Sequence, residues 1–137
     1  MVAHDDVLAE LESIPALAHL APDVLEQLVA VVRPKLFAKG EVLLHEHDAT
    51  RDTYFIIDGL CEILRNGEKV DESGPGEIDG EIALLYRTPR SGTVRASTDV
   101  RALVLPADAF DAIAASDPAA ATALRGAMEF YLRNRFT

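Results

Sequence analysis

Between Leu36 and Leu105 the chain breaks into short β-type runs, none long enough to build more than one edge of a small sheet. They are Glu41 to His45, Thr53 to Ile57, Leu60 to Leu64, Lys69 to Asp71, Thr93 to Ser97 and Val100 to Leu105. Turn formers separate them at Gly40, Gly59, Asn66-Gly67, Gly74-Pro75-Gly76 and Gly92. Asn-Gly is a strong hairpin signal, because both residues of a tight two-residue turn need positive φ. Many short strands with this punctuation predict a small antiparallel β-barrel or jelly roll.

Helical patterns flank this block on both sides, so the expected class is α+β. Val7, Leu8, Leu11 and Ile14 recur at helical spacing. A second helix starts at Pro22, where a proline in the first turn loses no hydrogen bond. It carries Val24, Leu25, Leu28, Val31 and Val32 inward and should stop at Arg33, since Pro34 disfavours helical geometry in the residue before it. The C-terminal part returns to helix around Pro106 to Ala115, and again from Pro118 with Asp117 as N-cap. There Leu124, Met128, Tyr131 and Leu132 form an apolar stripe opposite Arg125, Glu129 and Arg133. The expected organisation is one domain over 1–137: N-terminal helices at 1–33, β-barrel at 34–105, and C-terminal helices at 106–137.

Composition excludes several functions. The 137 residues hold 13 Lys and Arg against 23 Asp and Glu, a formal net charge of -10. Such a surface repels nucleic acid and anionic lipid alike. Cys61 is the only cysteine, so no intrachain disulfide can form. No basic-then-apolar leader opens the chain, and no apolar run approaches the roughly 18 residues of a membrane span. A cytoplasmic location is expected, as is a chain without room for an effector segment after its last helix.

The chemistry concentrates between Gly76 and Val94. Gly80-Glu81-Ile82-Ala83-Leu84-Leu85 is followed closely by Pro89-Arg90-Ser91-Gly92-Thr93-Val94. An ionised carboxylate only accepts hydrogen bonds and suits a sugar hydroxyl; a guanidinium offers a planar fork of donors and stays charged at any workable pH. A short helix from Gly80 to Tyr86 would turn free backbone N–H groups toward an anion, while Gly80 and Gly92 let backbone approach closely. Charge order runs the same way, from Glu68, Asp71, Glu72, Glu77, Asp79 and Glu81 to Arg87, Arg90, Arg95 and Arg101. Of these arginines, Arg90 is the anion ligand expected, and the other three are expected to be solvated strand residues. A small sugar-phosphate is the ligand class that fits.

The order helix, barrel, helix together with 76–96 resembles the cyclic nucleotide-binding domain family, which includes catabolite activator proteins, kinase regulatory subunits and gated channels. Gly40-Glu41-Val42-Leu43 looks like its first barrel turn, Tyr54-Phe55-Ile56-Ile57 with Gly59 like its central strand, and 76–96 like its phosphate-binding cassette. The resemblance implies that Glu81 holds the ribose 2′-hydroxyl and Arg90 the cyclic phosphate, with Gly80, Ile82, Ala83, Ser91 and Gly92 around them. It also implies a C-terminal lid over the base, for which Tyr131, Arg133 and Arg135 are candidates, and a ligand that is cAMP or cGMP, with cAMP favoured. Neither a catalytic role nor a further cofactor is implied. The output would pass to an effector protein or to self-association through the Leu124 to Phe136 face.

Three residues depart from the family pattern. Ile78 and Asp79 stand where it usually has bulky, often aromatic residues, and Asp79 adds like charge beside Glu81. His47 replaces a common turn glycine and would need an unusual positive φ. These departures motivate a second reading, a degenerate module kept for protein interaction or dimerisation. A third is a metal-binding cupin, because Gly40, His45, His47, Asp52 and Gly59 partly match its first motif; the missing third histidine argues against it, and no metal ligands are assigned. Cys61 and the serines lack any flanking nucleophile motif, so no enzyme is expected.

Overall fold

The computed structural model describes residues 3–135. Two helices, α1 (His4–Glu12) and α2 (Pro22–Val31), precede eight strands: β1 (Arg33–Phe37), β2 (Val42–Leu44), β3 (Thr53–Asp58), β4 (Cys61–Arg65), β5 (Glu68–Ser73), β6 (Ile78–Asp79), β7 (Thr93–Ala96) and β8 (Val100–Leu105). The short α3 (Glu81–Tyr86) lies between β6 and β7, and α4 (Ala107–Ser116) and α5 (Pro118–Arg135) close the chain. All strand pairings are antiparallel, in two four-stranded sheets ordered β1-β8-β3-β6 and β2-β7-β4-β5. The arrangement is therefore the jelly-roll alternative rather than a closed barrel.

Period-two alternation explains why β3 and β8 are buried on both faces. Tyr54 and Ile56, with Ala102 and Val104 opposite, point between the two sheets and meet Phe37, Leu43, Val94 and Cys61. Phe55, Leu103 and Leu105 point the other way, into a second core with Leu11, Leu28, Leu84, Phe110, Leu124 and Met128 from the helices. The first sheet is thus a shared wall between a β-sandwich core and a helical core.

Two strands were not evident in the sequence pattern. Strand β1 begins at Arg33 and contains Pro34, which is tolerated because β1 is an edge strand paired only with β8. The helix before it accordingly stops at Val31, and Val32 is already extended with φ -69° and ψ 151°. Strand β6 has two residues, too few for any periodicity to register. The Asn66-Gly67 hairpin forms as expected, joining β4 to β5 with φ of 53° and 79°. At the start of α5, an Asp117 carboxylate oxygen accepts from the Ala120 amide at 3.2 Å, while the other accepts from Gln27 at 2.9 Å, tying α5 to α2.

The three arginines expected to be solvated strand residues each meet an acidic side chain. Arg101 makes a two-pronged ion pair with Glu10 at 2.6 and 2.8 Å, Arg95 pairs with Glu62, and Arg87 lies 3.4 Å from Asp111. In the α5 stripe, Leu124 and Met128 are fully buried, and Tyr131 and Leu132 are half-buried. Phe136, placed on this face by the sequence, lies outside the described residues. Among the described residues no helix is long and apolar enough to cross a membrane.

Phe55 is fully enclosed where β3 meets the helices. Phe55→Ala is expected to cost about 3–5 kcal/mol of unfolding free energy in a urea titration; a loss below about 1 kcal/mol would mean that the helical core does not rest on this strand.

Candidate functional site

Gly80 ends β6 and begins α3 with φ +89°, a conformation that L side chains rarely adopt. A Cβ there would stand 2.7 Å from Arg90 Nη1 and 2.8 Å from the Asp52 carbonyl oxygen. Glycine is needed at this position to make room for a guanidinium. Gly92 is constrained similarly, since a Cβ would meet the Leu64 carbonyl oxygen at 2.9 Å.

Arg90 fills the space that Gly80 leaves. It is 3% exposed, and its guanidinium donates to the Gly80 carbonyl at 3.0 Å, the Asp52 carbonyl at 2.7 Å and the Thr50 hydroxyl at 3.2 Å. Its backbone is pinned too: the Arg90 amide donates to the Asp48 carbonyl at 2.8 Å, and the Arg90 carbonyl accepts from the His47 amide at 2.9 Å. That second bond accounts for His47, which takes up φ 75° and so presents its amide to Arg90. The side chain of Asp52 also accepts from the Ala107 amide at the start of α4, at 2.9 Å. One loop therefore touches both Arg90 and the first C-terminal helix.

Glu81 opens α3 and is 4% exposed. Its own amide bonds to the carboxyl group, whereas Oε2 is buried with no hydrogen-bond partner among the described residues. A buried acceptor without a partner is costly unless something else completes it. Burial is the main cause that pushes the Glu81 pKa up, to about 7, with Asp79 adding to it and Arg135 and Arg90 opposing.

The like charge that Asp79 was expected to add beside Glu81 is compensated locally. One carboxylate oxygen accepts from the Ser73 hydroxyl at 2.5 Å, and the other lies 3.7 Å from Arg135 of α5. Burial still raises its pKa to about 6, with Ser73 and Arg135 pulling it back.

These groups surround an open cavity of about 220 Å³. Gly80, Glu81, Ile82 and Ala83 form one wall, and Arg90, Ser91 and Gly92 another. Of the lid candidates, Arg135 lines the cavity, Tyr131 does not, and Arg133 is exposed outside it. Tyr131 instead supports Arg135, which donates to its hydroxyl at 2.9 Å; that hydroxyl also accepts from the Ile78 amide at 3.2 Å. Leu44, Ile63, Val70 and Val94 supply an apolar floor that the sequence did not single out. They come from four different strands, so no local spacing could have grouped them. A second opening of about 580 Å³, between the segment after α1 and α5, is larger, but neither Arg90 nor the uncompleted carboxylate of Glu81 lines it. Chemistry therefore favours the smaller one.

The cupin alternative finds no support in the geometry. His45 and His47 are exposed and lie beyond the end of β2 at Leu44, so they do not share a strand face. Among the described residues no three His, Cys, Asp or Glu side chains gather as a metal site would require. Cys61 is buried, and burial pushes its thiol up to about 11, which leaves it un-ionised at neutral pH.

Comparison with known proteins agrees with this geometry. The sequence profile of the cyclic nucleotide-binding domain matches residues 34–117. A cAMP-dependent protein kinase regulatory subunit from Hypocrea atroviridis is 32% identical over 100 residues, 73% of this chain and 22% of that protein. A cyclic nucleotide-gated potassium channel from Rhizobium etli is 31% identical over 113 residues, 82% of this chain and 32% of its own length. The chain thus spans a third or less of these curated relatives. Among solved structures, a cyclic nucleotide-binding domain from Methylobacillus flagellatus KT superposes with a TM-score of 0.82 at 21% identity, covering 97% of this chain and 78% of that one. The N-terminal domain of a transcriptional regulator from Streptomyces coelicolor A3(2) gives 0.75 at 29% identity, covering 92% and 91%.

The raised pKa values have a definite sign. In the folded protein Glu81 and Asp79 hold protons up to about pH 7 and 6, while the unfolded chain loses them at ordinary carboxylate values. Their contribution to stability is therefore complete below the unfolded values and fades as pH rises through the folded ones. Denaturant titrations of the ligand-free protein should show stability declining from about pH 4 to about pH 7 and levelling off above it. Glu81→Gln should flatten that slope; an unchanged slope would show that Glu81 is already ionised in the fold.

Proposed function

We propose, from the premise that this chain belongs to the cyclic nucleotide-binding domain family, that its cavity takes a purine 3′,5′-cyclic monophosphate, cAMP in preference to cGMP. The observation that carries this reading is the pairing of a buried, uncompleted Glu81 Oε2 with an inward-held Arg90 across Gly80. The cyclic phosphate would accept from the remaining donors of the Arg90 guanidinium, from the Ser91 hydroxyl and from the first amides of α3. The ribose 2′-hydroxyl would donate to Glu81 and so complete the orphaned oxygen. The base would rest on the apolar floor below Arg135. The preference for cAMP is supported by the kinase regulatory relative, whose name specifies that ligand.

Such a domain works as a sensor without catalysis. Ligand closing on α3 would shift Leu84 and Leu85, which pack in the same core as Phe110, Leu124 and Met128. Binding changes the C-terminal helices only to the extent that the ligand favours one arrangement over the other. The signal would leave through α5, to a partner protein or to a second copy of the chain.

One observation favours the alternative of a protein-interaction module that has ceased to bind nucleotide. In the ligand-free chain Arg135 is already drawn toward Asp79 and narrows the cavity, which is smaller than the roughly 300 Å³ at which small-molecule pockets begin.

Calorimetric titration with cAMP and cGMP separates the two readings, since absence of heat from both nucleotides at millimolar protein affinity would leave only the interaction module. Arg90→Ala is expected to weaken cAMP binding by about 2–5 kcal/mol, the usual result of leaving a buried charge unmatched; equal affinity would remove Arg90 from the site. Because the 2′-hydroxyl donates to an ionised carboxylate, binding near pH 6 should release a proton from Glu81 and tighten as pH rises. Titrations in buffers of different ionisation enthalpy measure this directly, and proton uptake would rule out the assigned role of Glu81.

A further inference from the structure

Helix α3 has six residues, too few to be stable by itself, and its last carbonyls have no partner within the helix. They are completed one after another from outside. The Ala83 carbonyl accepts from the Arg87 amide at 3.0 Å, with Arg87 in left-handed geometry at φ 53°. The Leu84 carbonyl accepts from Arg51 Nη2 at 3.2 Å, and the Leu85 carbonyl from Arg125 Nη2 at 3.1 Å. The two guanidinium groups come from separate parts of the fold, the segment before β3 and the middle of α5. Each also holds an acidic side chain: Arg51 Nη1 and Nη2 reach Asp111 of α4 at 3.2 and 3.4 Å, and Arg125 Nη1 reaches Glu129 at 3.5 Å.

We infer that Arg51 and Arg125 are positioning residues for ligand binding, a double clamp that holds the carboxyl end of α3 and thereby sets where Glu81, at its other end, meets the ligand. This rests on the reading of the cavity given above and names the contacts that carry its signal. Arg125 lies opposite the apolar stripe of α5, yet it reaches the main chain of α3. Because a guanidinium offers several donors in one plane, it can hold the α3 carbonyl and an acidic neighbour together. Positive charge at this end also matches the partial negative charge of the helix carbonyls. Movement of α3 toward a ligand must then either drag α4 and α5 through these contacts or break them. Apolar packing of Leu84 and Leu85 alone, being non-directional, would allow α3 to turn in place.

The test has one arm without ligand and one with it. In the ligand-free protein, native-state hydrogen exchange of the α3 amides should rise about tenfold in Arg125→Met and in Arg51→Met, the scale of losing one charged hydrogen bond. Arg125→Lys, which retains a charged donor, should restore most of the protection, and Arg95→Met on the outer sheet should change nothing. With cAMP added, Arg125→Met should bind several-fold more weakly in calorimetry and, at saturating nucleotide, lose the ligand-dependent change in α5 exchange that the unmodified chain shows. Unchanged α3 exchange in both methionine variants, or an intact α5 response in Arg125→Met, would overturn the clamp. If the unmodified chain binds no cyclic nucleotide, the sensor reading fails by itself, and the ligand-free arm still decides whether the two arginines hold α3.

Discussion

The site depends on one arginine turned inward. The Arg90 guanidinium is nearly inaccessible, and it is kept there by carbonyl oxygens of Gly80 and Asp52 and by the Thr50 hydroxyl. Burial opposes the charge, while Tyr54, Asp52, Glu81 and Asp48 offset that opposition in part. A guanidinium does not escape this cost by losing its proton, as a lysine can. It must be solvated by the protein instead, and two separate stretches of chain, one at Thr50 and Asp52 and one at Gly80, are brought to it for that purpose. Gly80, His47 and the irregular 45–52 segment all follow from that requirement, since each supplies either room or a main-chain partner.

The neighbouring carboxylates resolve the same electrostatic problem in the opposite way. A chain with net charge -10 would be a poor anion binder if all its acids near the cavity were ionised. Asp79 is instead screened by the Ser73 hydroxyl and Arg135, and burial keeps Glu81 protonated to about pH 7. The local field is consequently far less negative than composition implies. Distance along the chain says little here: Arg135 is brought to Asp79 across more than fifty residues, whereas Arg87, three residues from Arg90, faces Asp111 and solvent.

How much was readable in advance depended on the range of the interaction involved. Pro22, Asp117 and Asn66-Gly67 act within a turn or two, and the elements they start or close fall where expected. Strand β1 was missed because an edge strand tolerates the proline that reads as a breaker, and β6 because two residues carry no pattern. The reach of Arg125 was illegible for another reason. Helical periodicity assigns a face, but a long side chain at the border of a stripe can bend back along the surface to a neighbouring main chain.

The amino-acid sequence by itself determined the kind of fold and the chemical groups of the site, because hydrophobic period, turn chemistry and the Gly-Glu and Pro-Arg-Ser-Gly segments are local properties of the chain. Tertiary structure alone decided which groups meet: that Thr50 and Asp52 hold Arg90, that Ser73 and Arg135 attend Asp79, and that Arg51 and Arg125 share the end of α3. Those contacts are set by strand register and by how α5 packs into the helical core. Both are fixed by the packing of two cores against one shared wall, a condition that no short stretch of residues contains.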